Sequence, residues 1–168
     1  KLGYVPQKGV LFSGTIDSNI RYGKPEITDA QVKEAAEVAQ ATEFIDTKPE
    51  KYESPVSQGG TNVSGGQKQR LSIARAIAKD PEIFIFDDSF SALDFKTDSQ
   101  LRKALKEYTK DATTVIVAQR ISTILGADQI IVLDDGHMAG IGTHKELMAN
   151  CEVYQQIARS QLSEEELA

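Results

Sequence analysis

An α/β fold, a mainly parallel sheet with an added α-helical subdomain, is what the sequence predicts. Three observations carry it. The runs IFIF at 83–86, TVIVA at 114–118 and IIVL at 130–133 are continuously apolar, the pattern of strands covered by helices on both faces. A helical stretch, DSQLRKALKEYTK at 98–110, separates the first two, as in a βαβ crossover of the usual right hand. Residues 8–79, by contrast, are mostly helical in spacing.

The elements follow in order. LGYV at 2–5 is a short strand ended by Pro6. Thr28 and Gln31 form a T-x-x-Q capping box, after which Val32, Ala35, Ala36 and Ala39 share one helix face. Pro49 and Pro55 mark a loop. Ser64 can cap a second long helix with Leu71, Ala74, Ile77 and Ala78 on one face, ended by Asp80-Pro81. Asp134-Asp135-Gly136 is a turn into a last strand or hairpin near 137–142, and two short helices follow near 144–150 and 152–161. SEEEL at 163–167 reads as a frayed acidic tail. Residues 1–7 and 80–151 thus form an α/β core, 8–79 a helical subdomain, and 152–168 a C-terminal helix and tail. The core offers four candidate strands, the first at the start of the chain, so a fragment is expected.

Composition narrows the function. With 40% hydrophobic and 26% charged residues among 168, the chain is globular rather than disordered. A net charge of -6 makes it a poor candidate for sequence-independent nucleic-acid binding, which needs clustered cations. The apolar runs are far too short to span a membrane. Cys151 is the single cysteine, so no internal disulfide forms. No secretory pattern opens these residues, and a cytosolic location is expected.

Two stretches carry chemistry. In NVSGGQKQR, at 62–70, a serine and two glycines open a helix, a geometry that binds phosphate through backbone N–H groups and the helix dipole. It is also compatible with an ordinary glycine-led cap. In EIFIFDD, at 82–88, an apolar strand delivers Asp87 and Asp88 at its carboxyl end, where α/β sheets bind ligands. Such an aspartate holds magnesium in phosphate-loop NTPases, or merely caps a turn. No G-x-x-x-x-G-K-[ST] loop occurs in the 168 residues.

Together with YVPQ at 4–7, SALD at 91–94 and GTHKEL at 142–147, these stretches resemble the nucleotide-binding domain of ATP-binding cassette proteins, over residues 1 to about 160. The resemblance implies a partial P-loop NTPase (RecA-like) core, with ATP and Mg2+ as ligands. It implies that Ser64, Gly65, Gly66 and Gln67 are the signature that caps ATP held by a second nucleotide-binding domain. Asp87 looks like the magnesium-linked aspartate. Gln7 looks like the glutamine that reaches magnesium and the attacking water, or else a solvated loop amide. Asp94 looks like the aspartate of the loop that crosses to the partner. LFSGTIDSNIRYG at 11–23 resembles the exporter branch, in which transmembrane domains dock near residues 8–23. Leu11, Phe12 and Ile16 would line that groove or form a satellite core. The expected location is the cytoplasmic face of the cell membrane, and the phosphate loop is expected upstream of YVPQ, leaving these residues inactive alone.

Two positions depart from the pattern. Asp88 stands where the general-base glutamate is usual, and Gln119 where the switch histidine is usual. A carboxylate misplaced by about 1 Å can cost on the order of 10²-fold in rate, and glutamine cannot take a charge as imidazole does. Gln58 in PVSQGG is a milder departure. An intact signature beside a weakened catalytic set resembles the degenerate-site subunit of a bacterial heterodimeric multidrug-type exporter. The alternatives are a fully catalytic homodimeric exporter domain and a soluble cassette protein acting on nucleic acid or the ribosome. A serine hydrolase lacks the G-x-S-x-G elbow, and His137 and His144 are the only histidines.

Overall fold

The computed structural model describes residues 1–163, in two compact units, Lys1–Val117 and Ala118 onward. The acidic tail expected after Ser163 lies outside the described residues.

The first unit runs β1 (Leu2–Val5), β2 (Gly14–Thr15), α1 (Ile16–Ile20), α2 (Asp29–Val38), α3 (Thr42–Asp46), β3 (Pro55–Val56), α4 (Gly65–Ala78), β4 (Ile83–Asp87), α5 (Phe95–Tyr108) and β5 (Thr113–Val117). Strands β1, β4 and β5 pair in parallel in that order, with Tyr4 beside Ile85 and Asp87 beside Val117. Strands β2 and β3 form a small antiparallel pair among the helices. Val5, Phe84 and Phe86 share one core with Leu71 and Ile77 of α4 and Leu101 of α5.

Local chemistry sets the helix starts. Thr28 and Gln31 make the reciprocal capping box: the Thr28 hydroxyl accepts from the Gln31 N–H, and the Gln31 side chain accepts from the Thr28 N–H. Thr28→Ala is expected to remove about 1 kcal/mol of stability, read as a lower denaturation midpoint with an unchanged slope. Helix α5 begins earlier than its apolar spacing suggests, because Asp94 caps it three residues ahead of Thr97.

The second unit contains α6 (Ile121–Ile124), β6 (Ile130–Asp134), β7 (His137–Gly142), α7 (His144–Asn150) and α8 (Glu152–Gln161). Its core joins Ile121, Ile130, Val132, Leu147, Tyr154 and Ala158. His144 opens α7, and its Nδ1 lies 2.8 Å from the Tyr154 hydroxyl.

Two expectations about the strands are corrected. IIVL does not extend the parallel sheet; β6 pairs antiparallel with β7. The turn explains this: Asp135 and Gly136 adopt φ of 45° and 76°, which suits a two-residue hairpin. Nor are the apolar runs covered on both faces. Phe84 and Phe86 are buried, but Ile83, Val115, Val117, Ile131 and Leu133 are exposed. Strand neighbours point to opposite faces, and each run turns apolar side chains outward as well as inward.

Candidate functional site

The carboxyl ends of β1 and β4 bring the first group of residues together. Gln7 follows β1, and its Nε2 donates to Asp88 Oδ2 at 3.2 Å. The Tyr4 hydroxyl donates to Asp87 Oδ2 at 3.2 Å. That bond, then burial and the charge of Asp87, raise the Tyr4 pKa above the ordinary phenol value. Asp88 takes a left-handed φ of 44°, and its N–H is held by the Val117 carbonyl at 2.9 Å. The strand thus ends at Asp87, still paired with Val117, and the chain turns at Asp88; such strained residues gather at functional sites. Behind them, Ser89 is fully buried and donates to the Val5 carbonyl at 2.9 Å.

The start of α4 is the second group. The Ser64 hydroxyl accepts from the Gln67 N–H and the Gln67 side chain accepts from the Ser64 N–H, each at 3.2 Å. Ser64 and Gly65 are exposed. A Cβ on Gly66 would stand 3.5 Å from the Ala92 carbonyl oxygen and 3.8 Å from Leu93. The serine-led turn therefore lies beside the loop that carries SALD. At the end of that loop Asp94 accepts from the Thr97 hydroxyl at 2.6 Å and its N–H at 2.9 Å. These bonds hold the Asp94 pKa below the usual carboxylate range. The cap is therefore complete above the ordinary aspartate pKa and is lost as pH falls through the depressed one.

Two arginines of α4 tie the helices together. Arg70 lies over Phe44 and donates to the Gln40 carbonyl; burial lowers its pKa, against the charges of Asp94 and Glu43. Arg75 donates to the Val10 and Asn19 carbonyls and to Asn19 Oδ1, beneath the stacked rings of Phe12 and Tyr22. Leu11 and Ile16 are fully buried in the main core, whereas Val10, Phe12 and Tyr22 are exposed. The 11–23 segment is thus both core and surface, by alternate residues. Gln119 lies in the second unit, exposed, with its carbonyl accepting from Gln161.

Sequence reasoning passed over Tyr4, Ser89, Gln69 and Arg75. Tyr4 stood inside a quoted motif, but its partner is 83 residues away and nothing local signals the pairing.

A family profile described as "ABC transporter" matches residues 1–91. The chain belongs to the ABC transporter family. It is 47% identical over 163 residues to an uncharacterized ABC transporter ATP-binding protein of Mycobacterium tuberculosis, covering 95% of this chain and 28% of that protein. It is 46% identical over 157 residues to a putative multidrug export ATP-binding/permease protein of Staphylococcus aureus, covering 94% of this chain and 27% of that protein. A solved bacterial Atm1-family ABC exporter with ATP bound aligns over 97% of the chain and 29% of its own length, with a TM-score of 0.92 and 39% identity. The chain spans well under a third of the curated relatives it matches. It has the P-loop NTPase fold of an ABC ATP-binding domain.

Magnesium fits the residues present in one way only. Among the described residues no three His, Cys, Asp or Glu side chains could hold a metal ion. Asp87 and the Gln7 amide oxygen are hard donors, of the kind suited to a magnesium ion that keeps most of its shell as water and phosphate oxygen.

Proposed function

We propose that this chain is part of the ATP-binding subunit of an exporter, working at the cytoplasmic face of a membrane with a second ATP-binding domain and with transmembrane domains. No described helix is long and apolar enough to cross a membrane itself. The observation that carries the reading is the adjacency of the Ser64-led helix start and the 91–94 loop: a Cβ on Gly66 would meet Ala92 and Leu93. Both motifs would face the same partner. Ser64, Gly65, Gly66 and Gln67 would cap the partner's ATP with hydroxyl, backbone N–H groups and helix dipole. Gly65 supports this: apart from its chain neighbours and its own helix backbone, nothing lies within 4 Å of where its Cβ would stand. Packing within the chain does not call for glycine there, but close approach by an outside phosphate does.

At this chain's own site Asp87 would hold magnesium through water, and Gln7 and Asp88 would orient the attacking water. Bound Mg-ATP supplies the phosphoryl group that is transferred. The G-x-x-x-x-G-K-[ST] loop that would cradle it is not among these 168 residues. Val10, Phe12 and Tyr22 would receive the transmembrane domains, with Leu11 and Ile16 as the wall behind. Asp88 for glutamate and Gln119 for histidine make the own site slow, which favours a heterodimer with a competent second site.

The test compares variants in the full-length protein with its partner. Asp88→Ala should change steady-state ATP hydrolysis by less than about threefold, because turnover comes from the other site. Asp88→Glu with Gln119→His should raise single-turnover hydrolysis at the own site by on the order of tenfold. Loss of all activity in Asp88→Ala would make this an ordinary catalytic domain of a homodimeric exporter.

A further inference from the structure

The peptide that leads to Gln7 is held by two buried donors from far along the chain. Ser89 bonds the Val5 carbonyl, and Gln69, only 1% exposed on α4, donates Nε2 to the Pro6 carbonyl at 3.1 Å. Just beyond, the chain runs against α4: a Cβ on Gly9 would stand 2.9 Å from the carbonyl carbon and oxygen of Lys68. Gln7 lies between these anchors, exposed, with its amide on Asp88.

A buried carboxamide is a poor space filler. Leucine or methionine would occupy the same volume without desolvating a polar group. The amide of Gln69 gains its place through the bond to Pro6. A glutamine side chain is long and rotatable, and where the Gln7 amide falls is governed by where its backbone is fixed. That backbone is fixed from α4.

We propose that Gln69 is a positioning residue that sets the meeting of Gln7 with Asp88. The proposal rests on the roles given above to Gln7 and Asp88.

The experiment is a double-mutant cycle in the full-length protein with its partner, read by single-turnover hydrolysis at the own site. Gln69→Met keeps the volume and removes the donor. It should slow that phase by about tenfold and change half-saturating ATP by less than about twofold. In a Gln7→Ala background it should add nothing, because residues acting as one unit are not additive. The shorter amide of Gln69→Asn should recover part of the rate, and it carries the same cycle if Gln69→Met does not fold. Losses that multiply in the double variant overturn the positioning role and leave the reading of the site intact. A Gln7→Ala variant without effect at the own site overturns that reading, and the positioning role with it.

Discussion

Replacing Ser64 by aspartate should lower steady-state ATP hydrolysis of the full-length protein by on the order of 10²–10³-fold while leaving its folding intact. Aspartate caps a helix as well as serine does, so the bond to the Gln67 N–H survives the exchange. What changes is charge. A carboxylate at the exposed start of α4 would face the γ-phosphate of the partner's ATP, in a site closed to water, where repulsion is poorly screened. Closure of the two domains would fail. Phosphate release at saturating Mg-ATP reads the loss, and an unchanged melting temperature excludes a folding defect. Near wild-type turnover in Ser64→Asp would remove the helix start from the nucleotide site.

The second large effect falls on stability. Phe86 is 1% exposed, 5.8 Å from the ring of Phe84 and 5.4 Å from that of Phe90. Phe86→Ala would leave a cavity at the centre of this cluster and should cost about 3–5 kcal/mol, a large share of the roughly 5–15 kcal/mol that holds a domain folded. Chemical denaturation should show the midpoint falling with little change of slope. Because Asp87 and Asp88 follow directly, the same variant should loosen the carboxylate pair. A loss below about 1 kcal/mol would mean that the neighbouring rings collapse into the space.

Much of the fold is legible from local chemistry. The capping boxes at Thr28 and Ser64 and the turn at Asp135-Gly136 are decided by residues within four positions of one another. Strand coverage was not legible in this way. Ile131 and Leu133 are as apolar as Ile130 and Val132, yet they point outward, because an apolar run records what its side chains prefer and not which face a helix reaches. The site divides similarly. Asp87, Asp88 and the serine-led turn stand out by residue type and position. The bonds from Tyr4 to Asp87 and from Gln69 to Pro6 span 83 and 63 residues, and no period or spacing encodes them. Arg75 reads as one more polar residue on a helix, although it holds the 10–19 segment from below.

The open space above Gly65 sets two selections against each other. Alanine would fit that space, restrict the unfolded chain and favour the helix. A campaign that scored variants only by resistance to heat would therefore accept it. If the proposed capping role holds, the same methyl group would stand where the partner's phosphate comes, and the hardier protein would be the one that no longer closes on ATP. On that proposal residue 65 would trade thermostability against turnover directly, and a stabilised form of this domain should be built with glycine kept there.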